Sequence, residues 1–200
     1  MRRPLLPPLV RAAIGFLLGL GLWTGFIGVY SGFIAATAQP LLRMMERPAV
    51  TRLTPDEETI VVNREDFPRN SPRPQIRVDG LTFNVILLTV LFASNVPSLS
   101  NRNVGMFLLA CLILAVTHVL AFVASVESIY ALRLGPWSAA HYGPFARNFW
   151  SAAAHFYRIA GMFGIAFLLW WTMRPGDPFI LGAKDLTAAK RRRRVRDFPR

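Results

Sequence analysis

The chain contains a single cysteine, Cys111, in 200 residues. That excludes an intrachain disulfide and any metal site built from cysteine alone. Charge is scarce as well. Asp, Glu, Lys and Arg make up 17% of the residues, where an ordinary soluble domain carries about a quarter. Three chemical signatures are missing: a glycine-rich phosphate loop, a His-Glu-x-x-His pair and a Gly-x-Ser-x-Gly nucleophile turn. Their absence removes common sequence routes to phosphoryl transfer, zinc hydrolysis and serine hydrolysis. What is present is apolar surface and positive charge. Hydrophobic residues are 53% of the chain, mean hydropathy is +0.37, and 23 basic against 11 acidic residues leave a formal net charge of +12. A disordered basic chain would lack this apolar content. The combination describes a membrane protein that keeps its charge outside the bilayer.

A hydrocarbon core takes about 20 apolar residues per helix. Four segments meet or approach that length. Residues 12–38 are uncharged, 81–97 are uncharged but short, 104–132 carry only His118 and Glu127, and 149–173 carry only His155 and Arg158. The first is expected to be a retained helix. A signal-peptide core runs to about 15 residues, and this one is far longer, although Ala36-Thr37-Ala38 has the small-x-small form of a cleavage site. The short second span fits if the bilayer thins locally or the helix packs inside the bundle. The expected fold is an all-α membrane protein with four transmembrane helices and a small irregular or partly β extracytoplasmic insertion. Its divisions are 1–38, 39–80, 81–173 and 174–200.

Orientation follows the placement of Lys and Arg. Arg2, Arg3 and Arg11 lie at the first span, and nine basic residues, including Lys190 and Arg191 to Arg194, follow Met173. Residues 39–80 hold seven Arg against seven Asp and Glu. Both termini are therefore expected in the cytoplasm, with 39–80 outside. Trp137, Tyr142 and Trp150 would then mark the outer interface, and Trp170 with Trp171 the inner one.

The outer segment holds six prolines, which exclude a long helix there. Thr54-Pro55-Asp56-Glu57 carries features of a helix start, but the β-branched run Thr59 to Val62 follows at once and predicts a turn into a strand. Gln75 to Val78 alternates and is expected to pair with it, with Phe67 to Pro74 as an extended linker. A piece this small has no core of its own and must lie on the helices or on a partner.

Gly21, Gly25, Gly28 and Gly32 recur at spacings of four, three and four in the first span. They line one face and admit a close helix, either from the same bundle or from a partner protein. Ionisable residues inside a membrane are costly and point to function. His118 and Glu127 are nine apart and face opposite ways, whereas His155 and Arg158 are three apart and adjacent. The candidate binding cluster is Glu127, His155 and Arg158, joined by His118 or His141. Two uses stay open for it: a Glu127–Arg158 ion pair locking the last two helices, or an outer-leaflet polar site for a lipid headgroup or substrate peptide. No catalytic residue, metal site or cofactor is assigned. His118 and His155 are offset by about one turn, which does not suit haem. Cys111 lies in the opposite half of the membrane from His155 and Arg158 and reads as inert. The basic tail has no aromatic interleaving of the kind that binds nucleic acid. It is expected to hold anionic lipid headgroups and to enforce topology.

The stretch Val78-Asp79-Gly80-Leu81-Thr82-Phe83-Asn84, followed by Val85 to Ser94 as a short span between one glycine-rich helix and two longer ones, resembles small membrane proteins found alongside exosortases. Exosortases are bacterial enzymes that process and sort C-terminally tagged surface proteins, using Cys, Arg and His. Here Cys111, Arg158 and His155 sit at mismatched depths, so catalysis does not carry over. The resemblance implies a multi-pass protein of the bacterial inner membrane, acting as a non-catalytic accessory or assembly subunit of an envelope protein-sorting system beside another integral membrane protein. The alternatives are a small membrane enzyme or carrier for a lipid-linked substrate, and a subunit of a membrane electron-transfer complex.

Overall fold

A computed structural model describes residues 7–46, 48–66, 73–95 and 101–173. Arg2 and Arg3, the linker residues 67–72, the end of the expected second span at 96–97 and the basic tail lie outside the described residues. Three helices are long and apolar enough to cross a membrane by length and composition: Pro8–Met45, Asn101–Leu132 and Pro144–Met173.

The first, α1 (Pro8–Met45), starts on a proline, whose fixed φ suits a first helical turn. It does not stop near Ala38. It continues through Pro40 because Leu42 and Ala38 are fully buried under the cap, and that burial offsets the one backbone hydrogen bond a proline forfeits.

The cap is a three-stranded antiparallel meander, β1 (Thr51–Asp56), β2 (Thr59–Arg64) and β3 (Gln75–Arg77), in that order across the sheet. The expected strand at Thr59 to Val62 is the middle one, and it pairs with β3 through Ile60 opposite Ile76. The strand β1 differs from expectation. Thr54 and Pro55 are neither a helix start nor a turn but part of a strand paired with Val61 and Ile60. Proline is tolerated there because β1 is an edge strand. The turn comes two residues later, where Glu57 takes a left-handed conformation at φ 49. Leu53, Ile60, Val62 and Ile76 point inward and pack on Ile34, Ala38 and Leu42 of α1 and on Phe122, Val126 and Tyr130 of the fourth helix.

A single turn, α2 (Asp79–Thr82), leads into α3 (Asn84–Asn95). The expected second span is thus a 12-residue helix, about 18 Å long at 1.5 Å per residue, shorter than a bilayer core. It lies against α1, and the glycines there set the distance. A Cβ at Gly15 would fall 2.6 Å from the Ala93 Cβ, and one at Gly19 would fall 3.2 Å from the Ile86 Cα.

The helix α4 (Asn101–Leu132) then runs back to the cap. A short α5 (Pro136–His141) follows. The last long helix comprises α6 (Pro144–Phe156), a π-helical turn at Tyr157–Gly161, and α7 (Met162–Met173). A second apolar cluster joins Leu88 and Phe92 of α3, Ala110 and Leu114 of α4, and Ala166 and Leu169 of α7. Leu17, Leu18, Phe26, Leu108, Leu112, Phe167 and Leu168 face outward.

Candidate functional site

The polar groups between the helices form one chain of hydrogen bonds. His118, fully buried on α4, has the Tyr30 hydroxyl 2.7 Å from Nδ1 and the Asn84 Oδ1 2.8 Å from Nε2. The amide oxygen can only accept, so Nε2 carries the proton and Nδ1 accepts from Tyr30. The Asn84 amide donates onward to the Met162 carbonyl at 2.8 Å. One histidine thereby ties α1, α3 and α4 to the start of α7. Both of its nitrogens are committed, which leaves no free lone pair for an iron or a substrate. Close by, the Tyr157 hydroxyl donates to the Leu81 carbonyl at 3.0 Å.

A second network lies where the sheet meets the helix ends. Arg64 continues the inward phase of Ile60 and Val62 on β2, so its guanidinium is buried. It donates to Glu46 Oε1 at 2.8 Å and makes a two-pronged contact with Asp66 at 2.8 and 2.9 Å. Its charged plane also lies over the rings of Tyr130 and Trp137, 5.0 and 4.9 Å from their centroids. Burial works against the Arg64 charge, but the Asp66 hydrogen bond and the Glu46 charge outweigh it and hold the proton more tightly than usual. In turn the Arg64 hydrogen bond holds the Asp66 carboxyl below the ordinary carboxylate range. Glu46 also accepts from the Thr51 backbone and hydroxyl, and that hydroxyl meets Tyr130 at 2.8 Å.

Glu127 sits beside this network, not beside Arg158. It is buried on α4, and its Oε2 accepts from the Tyr142 hydroxyl at 2.7 Å. Its Oε1 is buried with no hydrogen-bond partner. Burial first, then the Glu127 carboxylate, pushes the Tyr142 phenol well above its usual range, so it remains a donor. Glu127, Trp137, Tyr142, His141 and Trp150 line a recess of about 240 Å³. His141 stacks on Trp137 with ring centroids 4.2 Å apart.

Another, larger cavity of about 520 Å³ opens between β3 with α2, α4, and the π-containing helix. Its polar lining includes Arg77, Ser128, Arg133, His155 and Arg158 beside Gln75 and Ser125, with Ile76, Leu81, Ile129 and Met162 in its apolar part. Among the described residues no Asp or Glu lines it. Arg77 is held by Asp79 and Glu58. Among the described residues, Arg133 and Arg158 take part in no salt bridge. His155 is anchored through Nδ1 to the Ser151 carbonyl at 2.8 Å.

The structure therefore brings His155 and Arg158 together, and separates both from Glu127 and from His118. The Glu127–Arg158 ion pair, one of the two uses left open for the cluster, does not form, because the two side chains line different cavities. The glycine row also divides. Gly15 and Gly19 pack inside the chain, whereas Gly21, Gly25 and Gly32 have nothing within 4 Å and Gly28 only reaches the Glu57 carbonyl at 4.0 Å. Sequence reasoning passed over Arg64, Arg77 and Arg133. Arg64 had a signal, a charged residue in the inward phase of an alternating strand. Arg133, directly after the apolar run of α4, had none beyond its position. No known family model, no curated protein and no solved structure matches this chain.

Proposed function

We propose that this chain is a multi-pass membrane protein whose role is binding and assembly, without chemistry of its own. The observation that carries this reading is how its buried polar groups are used. His118, Asn84, Tyr130, Tyr157 and Arg64 are all bonded within the chain. Among the described residues no Ser, Thr or Cys side chain is hydrogen-bonded to a histidine, as an activated nucleophile requires. Polar groups spent on joining helices fit a scaffold better than a catalyst.

Membrane residence is supported by the outward apolar faces. Exposed leucines and phenylalanines along three long helices would form patches far larger than a soluble monomer carries. In this reading α3 is a fourth, short crossing. Ala93 lies at Gly15, near the start of α1, so the chain has returned from the cap to the N-terminal end of the bundle. Local thinning of the bilayer and packing against α1 and α7 accommodate its length. The cap lies outside and both termini are cytoplasmic, in a bacterial inner membrane.

The partner class comes from the resemblance to exosortase-associated proteins, and the open row Gly21, Gly25 and Gly32 is the face available to a partner helix. The test is light-scattering chromatography in mild detergent. A fixed-stoichiometry complex with a second integral membrane protein is expected, with Gly25→Leu releasing it. A monodisperse chain, unchanged by Gly25→Leu, overturns the reading.

A further inference from the structure

We propose that the arginine-lined cleft between β3, α4 and the π-containing helix binds the phosphate of an anionic lipid headgroup. Among the described residues, every ionisable side chain lining it is an arginine or a histidine: Arg77, Arg133, His155 and Arg158. In the cap Arg64 is neutralised by Glu46 and Asp66, and Arg77, at the edge of the cleft, by Asp79 and Glu58. Arg133 and Arg158, both exposed, have no such partner among the described residues. Arg133 and Arg158 therefore leave an excess of positive charge in one cleft, and a bound anion offsets it. The planar fork of arginine matches phosphate oxygens two at a time, and Ser128 adds a hydroxyl to the same lining.

The cleft is also built to a width. Behind the lining, the Tyr157 hydroxyl of the π-containing helix donates to the carbonyl of Leu81 on the facing wall at 3.0 Å and ties the two together. Arg158, the next residue, projects from the π turn, a distortion that recurs at functional sites. A volume of about 520 Å³ lies within the range of ligand cavities. The flank beside it selects a lipid over a free anion. Phe156, Ile159 and Phe163 of the same helix are exposed at 65%, 76% and 44%, and offer a path for acyl chains running away from a phosphate at Arg158. The lipid source rests on the membrane reading above, whereas the phosphate chemistry does not.

The test uses the full chain in neutral detergent, titrated with dioctanoyl phosphatidic acid and, separately, with inorganic phosphate, binding being read by thermophoresis. Saturable binding of phosphatidic acid is expected, weakened about tenfold or more by R133Q with R158Q. R158K retains the charge but not the fork and falls between. The basic tail is common to all these chains, so the difference between them reports the cleft. The unliganded melting temperature of the double variant is measured alongside, and should match that of the parent because neither arginine has a salt-bridge partner among the described residues. Equal affinity in parent and double variant overturns the site. Inorganic phosphate binding as tightly as phosphatidic acid overturns the lipid assignment and makes the cleft a free-phosphate site. Carbonate extraction of membranes reports residence independently. A chain released by carbonate sinks the membrane reading while leaving the phosphate titration intact.

Discussion

The Tyr142 hydroxyl donates to Glu127 Oε2 at 2.7 Å, and this contact anchors the lone acidic residue of the last three long-helix segments. Glu127 makes no salt bridge with Arg158. Tyr142→Phe should therefore leave both carboxyl oxygens without a donor and cost about 1–3 kcal/mol. Arg158→Leu should leave stability unchanged. Denaturation of the purified variants checks both, and an equal loss from the two would restore an ion-pair role for Arg158.

Arg64 is the keystone of the cap. Its side chain and that of Glu46 are 4% and 5% exposed. Arg64→Met strands the Glu46 carboxylate in a dry site, a loss of about 3–5 kcal/mol for breaking a buried pair from one side. Arg64→Lys should recover little, since an ammonium cannot make the two-pronged contact with Asp66 or lie flat on Trp137 and Tyr130. Chemical unfolding that shows Lys equal to Arg would contradict this.

Acid should weaken the same corner. The Arg64 hydrogen bond lowers the Asp66 carboxyl in the folded chain relative to the unfolded one, so the folded state binds fewer protons. Its contribution is fully present above the unfolded carboxylate value of about 3.9 and is lost as pH falls through the lowered folded value. About a third of the Asp66 side chain faces solvent, 32% by exposure, so the effect should stay below about 1 kcal/mol. Asp66→Asn should flatten this part of the profile in melts from about pH 6 down to about pH 2. A profile identical to that of the parent would remove Asp66 from the account.

The two sets of glycines should respond oppositely. Gly15→Ala places a Cβ 2.6 Å from the Ala93 Cβ and should destabilise by about 1–3 kcal/mol through overpacking. Ala93→Gly in the same chain should restore part of the loss. Gly21→Ala and Gly25→Ala meet open space and should be neutral or gain up to about 1 kcal/mol of helix propensity. Melting of the isolated protein separates the two sets, and equal responses would refute the close approach of α1 and α3.

Much of the fold is legible in local pattern. Long apolar runs mark the three long helices, and β-branching and alternation mark β2 and β3. The edge strand β1 was hidden by Pro55, which argues against a strand until the sheet order shows that nothing pairs on its outer side. The extension of α1 past Pro40 was hidden for a similar reason, since the gain comes from Leu42 burying itself under residues far along the chain. The candidate site was half legible. His155 and Arg158 share a face by spacing alone, but Arg77 and Arg133 reach their cleft only through the fold.

The sequence by itself determined which segments are apolar, where the basic residues accumulate and which side chains share a helix face, because these depend on composition and on the fixed periods of helix and strand. Tertiary structure alone decided which charge meets which. Whether Glu127 faces Arg158 or Tyr142, and whether Arg133 lies beside a carboxylate or in a cleft shared with Arg158, depends on how α4 is rotated against its neighbours. That rotation is set by His118 between Tyr30 and Asn84 and by Phe122, Val126 and Tyr130 in the cluster with Leu42 and the sheet, contacts between residues too distant in the chain for any local period to relate.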